Sequence, residues 1–415
     1  MKQRHFSHLV MVTCIASLGA CSSSDDGDTQ NSASNGNSTS FISTDETISY
    51  GFASTHNSIT DSARIVRISL TDGNIVDGQY PDIESQIAAF TDDDSLYQIG
   101  RSNDTLTKFS ASDTSIFDYQ ISVSDLQVAN SDPRSIAFVN SDLAYLTRFS
   151  SDSVLIIDPT PAQLTSESLI TGEIDLAVYN RGNGESLDLP DMTDAVVVDD
   201  KLFVLLENLD NGSPALPGYV AVIDTRTGLE ISTGQGVVPL QGIELQSVNP
   251  ASLQYNEDSG LLYVVGRGNN TGDESVSGDA YSGGIELIDP LTYQTRLAVD
   301  DGTAGANNGF FVDAVVINET LGYVVTQEGD NAEGVDVNNV RSFNTQTGAI
   351  SEPVAGTDQL SITSIALGPD NHVWVGVQDD TPGFLRINID TGEIADERVA
   401  TQLIPDDIVF IEVAQ

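Results

Sequence analysis

The stretch from Asp194 to Leu206 reads DAVVVDDKLFVLL, and after a variable loop the chain continues from Tyr219 to Gly228 as YVAVIDTRTG. Short runs of Val, Ile and Leu alternate here with polar turns, and Asp-Thr-Arg-Thr-Gly closes the last run with residues that favour turns. The pattern predicts three successive strands of one small antiparallel sheet. Such a sheet cannot bury both of its faces alone, so further copies of the unit are expected.

The same pattern recurs along the chain from Thr47 onward, with a large aromatic side chain at one position of each second strand. These residues are Tyr50, Tyr97, Tyr145, Phe203, Tyr263, Tyr323 and Trp374. Their spacing runs from 47 residues (97 minus 50) to 60 residues (263 minus 203), which is within or above the length of propeller blades. The sequence therefore predicts an all-β fold, a seven-bladed β-propeller over residues 47–415.

The first copy lacks an opening strand. The segment from Pro405 to Ile411 reads PDDIVFI and matches the opening strand that begins at Asp194. We therefore expect the C-terminal strand to complete the first blade, which would close the ring and remove an exposed sheet edge. The repeats resemble the seven-bladed YVTN and WD40-like propellers of bacterial envelope proteins. That resemblance implies a fold shared by binding proteins, scaffolds and some enzymes.

Residues 1–20 have the features of a secretory signal peptide. Lys2 and Arg4 precede an apolar run, residues 9–20, that is too short to span a bilayer. The run ends in Leu-Gly-Ala-Cys, which resembles the lipobox of bacterial lipoproteins. The resemblance implies cleavage before Cys21 and attachment of diacylglycerol and palmitate-type acyl chains to it. The alternative is an ordinary signal peptide with an incidental cysteine.

Residues 21–46 are acidic and rich in Ser, Asn and Gly, which predicts a flexible tether between the lipidated cysteine and the propeller. Ser22 follows the cysteine, and by the same resemblance this implies sorting to the outer membrane of a Gram-negative-type bacterium. The expected localisation is thus the cell envelope, on the periplasmic or the surface side.

The composition excludes several classes of protein. The 415 residues include 62 Asp and Glu against 16 Lys and Arg, a formal charge of -46, which argues against nucleic acid as a partner. Both cysteines, Cys14 and Cys21, fall in the first 21 residues, so the propeller has no thiol for a disulfide, a zinc site or a nucleophile. His56 and His372 are the only histidines beyond the leader, and we predict no catalytic residue.

The loops that join second to third strands lie on the usual binding face of a propeller, and in blades four to six they are long and acidic. The acidic residues that we expect on this face are Glu207, Asp210, Asp273, Glu274, Asp279, Glu328, Asp330 and Asp336. Their carboxylate oxygens could bind calcium or a basic protein partner. The alternative for each loop is an ordinary solvated surface.

A second candidate cation site lies where the first strands open onto the channel. The opening residues are Asp407, Ser85, Ser135, Asp194, Ser252, Asp313 and Ser364, which we call the Ser/Asp ring. The carboxylates of Asp194, Asp313 and Asp407 would repel one another without a cation between them, which predicts calcium or another hard cation there. The alternative is that these side chains bond to the backbone of the next blade.

These observations predict a membrane-anchored envelope lipoprotein that acts as a binding or scaffold module. Its expected partners are the membrane, through the lipid anchor, and a protein of the envelope. Two alternatives remain open at this stage. One is a metal-dependent hydrolase of the lactonase type, and the other is an adaptor subunit of an outer-membrane channel or transport complex.

Overall fold

The computed structural model describes residues 47–57, 62–71, 74–77, 85–90, 95–125, 128, 130–161, 163–180, 189–209, 216–269, 281–330, 336–395 and 397–414. The predicted signal peptide, Cys21 and the tether lie outside these ranges and stay predictions. The same holds for four residues of the expected acidic face, namely Asp210, Asp273, Glu274 and Asp279.

The described chain forms seven antiparallel sheets, one per blade, as the repeats predict. Within each blade the strands follow one another from the channel outward. Blade 1 comprises β31 (Ile404–Ala414), β1 (Thr47–Asn57), β2 (Ser62–Ser69) and β3 (Ile75–Asp77). Blade 2 comprises β4 (Ser85–Phe90), β5 (Ser95–Gly100), β6 (Thr105–Ser110) and β7 (Asp113–Ser122). Blade 3 comprises β8 (Pro133–Asn140), β9 (Leu143–Arg148), β10 (Ser153–Ile157) and β11 (Ile170–Asp175).

Blade 4 has a fifth strand, because its third strand pairs with two outer strands. It comprises β12 (Met192–Val198), β13 (Lys201–Leu206), β14 (Pro217–Asp224), β15 (Leu229–Glu230) and β16 (Ile243–Val248). Blade 5 comprises β17 (Pro250–Asn256), β18 (Leu261–Gly266), β19 (Gly284–Ile288) and β20 (Thr295–Asp300). A small hairpin of β21 (Gly302–Thr303) and β22 (Ala306–Asn307) leads to the next blade.

Blade 6 comprises β23 (Phe310–Asn318), β24 (Leu321–Asp330), β25 (Asp336–Phe343) and β26 (Ile350–Pro353). Blade 7 comprises β27 (Ile362–Leu367), β28 (His372–Val377), β29 (Gly383–Asn388) and β30 (Val399–Ala400). Helical structure in the described ranges is confined to α1 (Ser166–Leu169) and a 3₁₀ turn at Ala177–Tyr179. None of the described helices is long and apolar enough to cross a membrane.

The ring closes as the sequence predicts. The C-terminal strand β31 pairs antiparallel with β1 and supplies the innermost strand of blade 1. Each innermost strand also contacts the innermost strands of both neighbouring blades, and β31 lies between β27 and β4. Trp374 of blade 7 packs edge-on against Phe410 of β31, with 5.6 Å between ring centroids. The two ends of the propeller are therefore joined by hydrogen bonds within a blade and by aromatic packing between blades.

The core is divided into seven apolar clusters among the described residues, one at each interface between neighbouring blades. The predicted aromatic positions of blades 2 to 7 are all at most 2% exposed. Blade 1 differs, because the strand register aligns Phe52 with these positions rather than Tyr50. Phe52 pairs with Val409, whereas Tyr50 pairs with Ile411, two residues further from the mouth, and is only half-buried. The prediction of Tyr50 was thus wrong by two residues.

Candidate functional site at the channel mouth

The strand directions define one end of the central channel as the site of interest. In each blade the innermost strand begins at this end, which we call the mouth, and the second strand returns to it because the two strands are antiparallel. The loops between second and third strands lie on the same face. Side chains at the ends of the second strands are therefore held around the mouth by the most rigid part of the fold.

A β-bulge recurs at the mouth in every blade except blade 2. The register between the first two strands shifts by one residue just before the Ser/Asp ring. The bulged residues are Asp406, Arg134, Thr193, Ala251, Val312 and Thr363. Bulges re-aim a side chain and are common at the rims of closed sheets and beside functional sites.

Blade 2 lacks this shift, and its register corrects one member of the predicted Ser/Asp ring. Ser85 pairs with Gly100, one step nearer the mouth than the ring. Gln86, which pairs with Ile99, holds the equivalent position. The missing bulge is the physical reason, because it removes the extra residue that every other blade inserts before the ring.

Seven structurally equivalent residues lie at or just beyond the mouth ends of the second strands; we call them the mouth ring. Each lies four positions after the buried aromatic residue of its blade. From blade 1 to blade 7 they are His56, Arg101, Phe149, Glu207, Arg267, Gln327 and Gln378. The backbone N–H groups of Phe149, Glu207 and Arg267 donate to the residue just before the first strand, at 2.9 to 3.0 Å.

Arg101 and Arg134 share one carboxylate at the mouth. Arg101 donates from Nε to Oδ1 of Asp132 at 2.8 Å and from Nη2 to Oδ2 at 3.3 Å. Arg134 donates from Nε and Nη2 to Oδ2 of the same residue at 2.9 and 2.6 Å. The guanidinium of Arg134 also lies 4.5 Å from the centroid of the Phe149 ring. One aspartate and one aromatic ring thus fix two arginines.

The position of Asp132 is itself fixed by hydrogen bonds between its turn and Asp104. Its backbone is in the left-handed region, with φ of 47°, and its N–H donates to Oδ1 of Asp104 at 3.1 Å. Both carboxylate oxygens of Asp104 also accept from the N–H of Ser131 at 3.0 Å. Asp104 is 6% exposed, so these hydrogen bonds are shielded from water. The turn that presents Asp132 is therefore a fixed part of the fold.

Glu207 lies between Arg134 and Arg267 and is only 8% exposed. Burial raises the pKa of Glu207 above its usual value, and the positive charges of Arg267 and Arg134 partly offset this. Burial and the nearby Arg101 lower the pKa of Arg134, whereas Asp132 and Glu207 raise it. Arg267 is exposed and donates from Nε to the carbonyl of Val312, in blade 6, at 3.5 Å. The cluster formed by Arg101, Arg134, Arg267, Asp132 and Glu207 therefore extends from blade 2 to a contact in blade 6.

His56 is on the other side of the ring. It lies within β1, and its Nδ1 is 2.6 Å from Oδ1 of the bulged residue Asp406. The two side chains are 21% and 23% exposed. The pairing of His56 with Asp406 has no counterpart in the sequence pattern.

The carboxylates of the Ser/Asp ring make hydrogen bonds between blades. Asp194 is 1% exposed and accepts from the N–H of Leu253, in the next blade, at 2.9 Å. Burial raises the pKa of Asp194 to about 6, although the N–H groups of Leu253 and Ala195 and the Ser135 side chain oppose the rise. Asp313 accepts from Oγ of Ser252 at 3.2 Å. The contact of Asp194 is of the kind expected in the alternative interpretation, a bond to the backbone of the next blade, whereas Asp313 is bonded to a side chain of the preceding blade.

Asp407 accepts the N–H of Ile408 at 2.8 Å. Among the described residues no group of three or more His, Cys, Asp or Glu side chains is arranged to hold a metal ion. Calcium at Asp194, Asp313 and Asp407 therefore stays a prediction from the sequence, to be tested directly.

The expected acidic rim differs in arrangement where the structure describes it. Glu207 is buried among arginines rather than presented to solvent. Glu328 is exposed and accepts from Nη2 of Arg341 at 2.8 Å. Asp330 and Asp336 are not loop residues, because β24 and β25 continue far enough to pair them with each other. The long loop expected between the second and third strands of blade 6 is thus mostly a strand extension.

The arginine cluster was not found from the sequence, although a signal for part of it exists. Extending the repeat alignment four residues past each aromatic residue reaches Arg101, Glu207 and Arg267 directly. Arg134 and Asp132 are not reachable in this way, since their positions depend on the bulge and on the turn before β8. The strong negative charge of the chain favours carboxylates, not arginines, as the candidate binding residues.

No family model matches the chain, and no curated protein matches it. Solved structures do match. Apo AztD from Citrobacter koseri is 15% identical and has a TM-score of 0.53, with 88% of this chain and 99% of that chain covered. Two structures provisionally designated as 6-phosphogluconolactonases come from Bacteroides uniformis and Bacteroides fragilis. They are 13% and 12% identical, cover 88% and 89% of this chain and 99% of theirs, and have TM-scores of 0.57 and 0.59. At these identities the likeness concerns the fold alone, and together with the strand topology it shows that the chain is a seven-bladed β-propeller.

Proposed function

We propose that this chain is a lipid-anchored protein of the bacterial cell envelope whose propeller binds a ligand at the channel mouth. The observation that carries the proposal is the contrast between two sets of equivalent residues. The aromatic positions are uniform because they fill the core between blades. The mouth ring, four residues further on, carries six polar or charged side chains and one aromatic ring that packs on Arg134.

The position of the expected anchor supports this assignment. Thr47, the first residue of β1, pairs with Ala414 at the end of β31 that is furthest from the mouth. A tether that joins the propeller at Thr47 therefore arrives on the face opposite the mouth. If Cys21 is lipidated, the tether is attached away from the mouth and leaves it accessible to a ligand or partner.

Lipidation is tested by labelling. The full chain, expressed in a Gram-negative host with radiolabelled palmitate, should incorporate label and fractionate with membranes. A Cys21→Ala variant is the matched control and should do neither. Equal labelling of the two proteins would contradict the anchor.

The location of the binding site is tested separately by photo-crosslinking in the same host. A photoreactive amino acid replaces Gln378 of the mouth ring in one variant and Asp258 in another. Both side chains are exposed, and Asp258 lies in a turn between first and second strands on the opposite face. We expect adducts at Gln378 and none at Asp258. A protein adduct would favour the adaptor alternative, and adducts at Asp258 alone would contradict a site at the mouth.

A further inference from the structure

We infer that Arg101, Arg134 and Arg267 form an anion clamp at the mouth, and that the ligand is a small molecule bearing a carboxylate or phosphate group. The inference rests on the proposed function, because it names the ligand class of the same site. Three observations carry it: the local charge, the hydrogen-bond donors and the rigidity of the cluster.

Arginines are scarce in this chain and are concentrated at the mouth. The protein has a formal charge of -46 and only 16 Lys and Arg residues. Three of the arginines lie at the mouth, where Arg101 and Arg134 share Asp132, and all three interact electrostatically with Glu207. A channel lined by low-dielectric walls strengthens the field of such a cluster. The arginine side of the mouth is thus the place where this strongly negative molecule can attract an anion.

The arginines retain hydrogen-bond donors that no atom in the described part of the chain accepts. Asp132 accepts from Nε and Nη2 of both Arg101 and Arg134, and Arg267 uses Nε alone. Within the described residues, Nη1 of Arg101 and of Arg134 and both Nη groups of Arg267 donate to no protein atom. Guanidinium groups present such donors in a planar fork that matches the oxygens of a carboxylate or phosphate.

The clamp is also preorganised. Asp104 fixes the turn that carries Asp132, and Asp132 with the Phe149 ring fixes Arg134. A ligand therefore does not have to order these side chains when it binds, and this lowers the entropic cost of association. Asp132 is a positioning residue in this arrangement, since it orients the donors without facing the ligand.

Isothermal titration calorimetry of the folded full chain tests the inference with two sets of probes. One set is succinate and citrate, and the other is inorganic phosphate and glycerol phosphate. We expect one set to bind, with an affinity that falls as NaCl rises. Arg134→Gln and Arg267→Gln should each weaken that binding at least tenfold. Arg267 is exposed, so its variant should fold even if the Arg134 variant does not.

Arg226→Gln is the matched control, because Arg226 is 67% exposed, pairs with Asp224 and lies in a turn on the opposite face. Its variant should bind the probes like the unmodified protein. Binding by the carboxylates or by the phosphates identifies the ligand chemistry. If neither set binds, or if Arg267→Gln binds as tightly as the unmodified protein, the clamp is refuted. Crosslinking at Gln378 could still succeed in that case, which would leave the proposed site standing with a different ligand.

Discussion

The negative charge of Glu207 competes with a bound anion for the arginines of the clamp. Its carboxylate is buried between Arg134 and Arg267, with Asp132 and Arg101 also acting on it, and burial raises its pKa. Protonation of Glu207 as pH falls would remove a negative charge that competes with a bound anion. Anion affinity should therefore increase toward lower pH.

The variant Glu207→Gln tests this role. Where Glu207 is ionised, the substitution removes its negative charge, and we expect anion affinity to increase about fivefold, corresponding to about 1 kcal/mol. Calorimetry across pH 5 to 8 should show a smaller pH dependence than in the unmodified protein. The difference between the two proteins isolates the contribution of Glu207. Glu257→Gln, at an exposed position in a turn on the opposite face, is the control, and identical behaviour of both variants would contradict the assignment.

Asp194 couples the stability of the ring to pH. Its pKa is about 6 in the folded protein against 3.8 for an unperturbed aspartate. Between these values the folded state holds a proton that the unfolded chain has lost, so the contribution of Asp194 to stability falls as pH rises from about 4 to about 6. The full effect is on the order of 3 kcal/mol.

Denaturant unfolding of the unmodified protein and of Asp194→Asn checks this coupling. The variant does not titrate, so the difference in free energy of unfolding between the two proteins should change with pH. We expect the unmodified protein to gain up to about 3 kcal/mol relative to the variant between pH 7 and pH 4. A constant difference over this range would show that Asp194 is ionised in the fold at all these pH values.

At the scale of the strand, closure depends on β31. Without it, β1 would expose its edge and blade 1 would lose Ile408 and Val409, which are at most 4% exposed. A chain that ends at Leu403 should therefore lose its cooperative thermal transition and associate through the open edge. Size-exclusion chromatography and calorimetry measure both effects.

A peptide of residues 404–414 added to the truncated chain should restore the transition by strand addition. The same peptide with Val409→Asp should not, because its charge would fall in the apolar cluster with Phe52. Unfolding of the truncated chain at the temperature of the full chain would show that the ring does not need this closure.

The strands also show which parts of the architecture a sequence can specify. Alternating apolar runs and aromatic spacing identified the second strands, and the matching segments at Asp194 and Pro405 identified the closing strand. The strand register that aligns Phe52 and Gln86 with the equivalent positions of other blades could not be predicted in the same way. A register is set by hydrogen bonds between strands, and a bulge present or absent changes it by one residue without changing the apolar pattern.

At the scale of the molecule, the net charge of -46 should limit stability through self-repulsion. Added NaCl, up to about 0.5 M, should raise the melting temperature by screening. Calcium chloride at the same ionic strength separates screening from specific binding. A further rise would support the predicted cation at Asp194, Asp313 and Asp407, and its absence would contradict that prediction.

The arginine cluster at the mouth could not be predicted from the sequence, because its residues come together only in the closed ring. Arg101, Arg134 and Arg267 belong to three different blades, and no spacing along the chain relates them. The composition pointed to an acidic binding face, since a count of charges cannot show where the few arginines gather. Only the circular arrangement of the blades brings them to one end of the channel.

Closure also determines when the protein can finish folding. The two strands that seal blade 1 carry residues 350 positions apart, such as His56 and Asp406. Ribosomes extend a chain by about 5 to 20 residues per second, so β31 is made roughly 20 to 70 seconds after β1. If the chain is exported as proposed, it enters the envelope from its N-terminus, so β1 again arrives before its inner partner. Until β31 arrives, one edge of the first blade can pair with another unfolded chain. The final strand to be synthesised therefore ends the period in which the protein is most exposed to misassembly, and cells that make it should need a holding chaperone during that time.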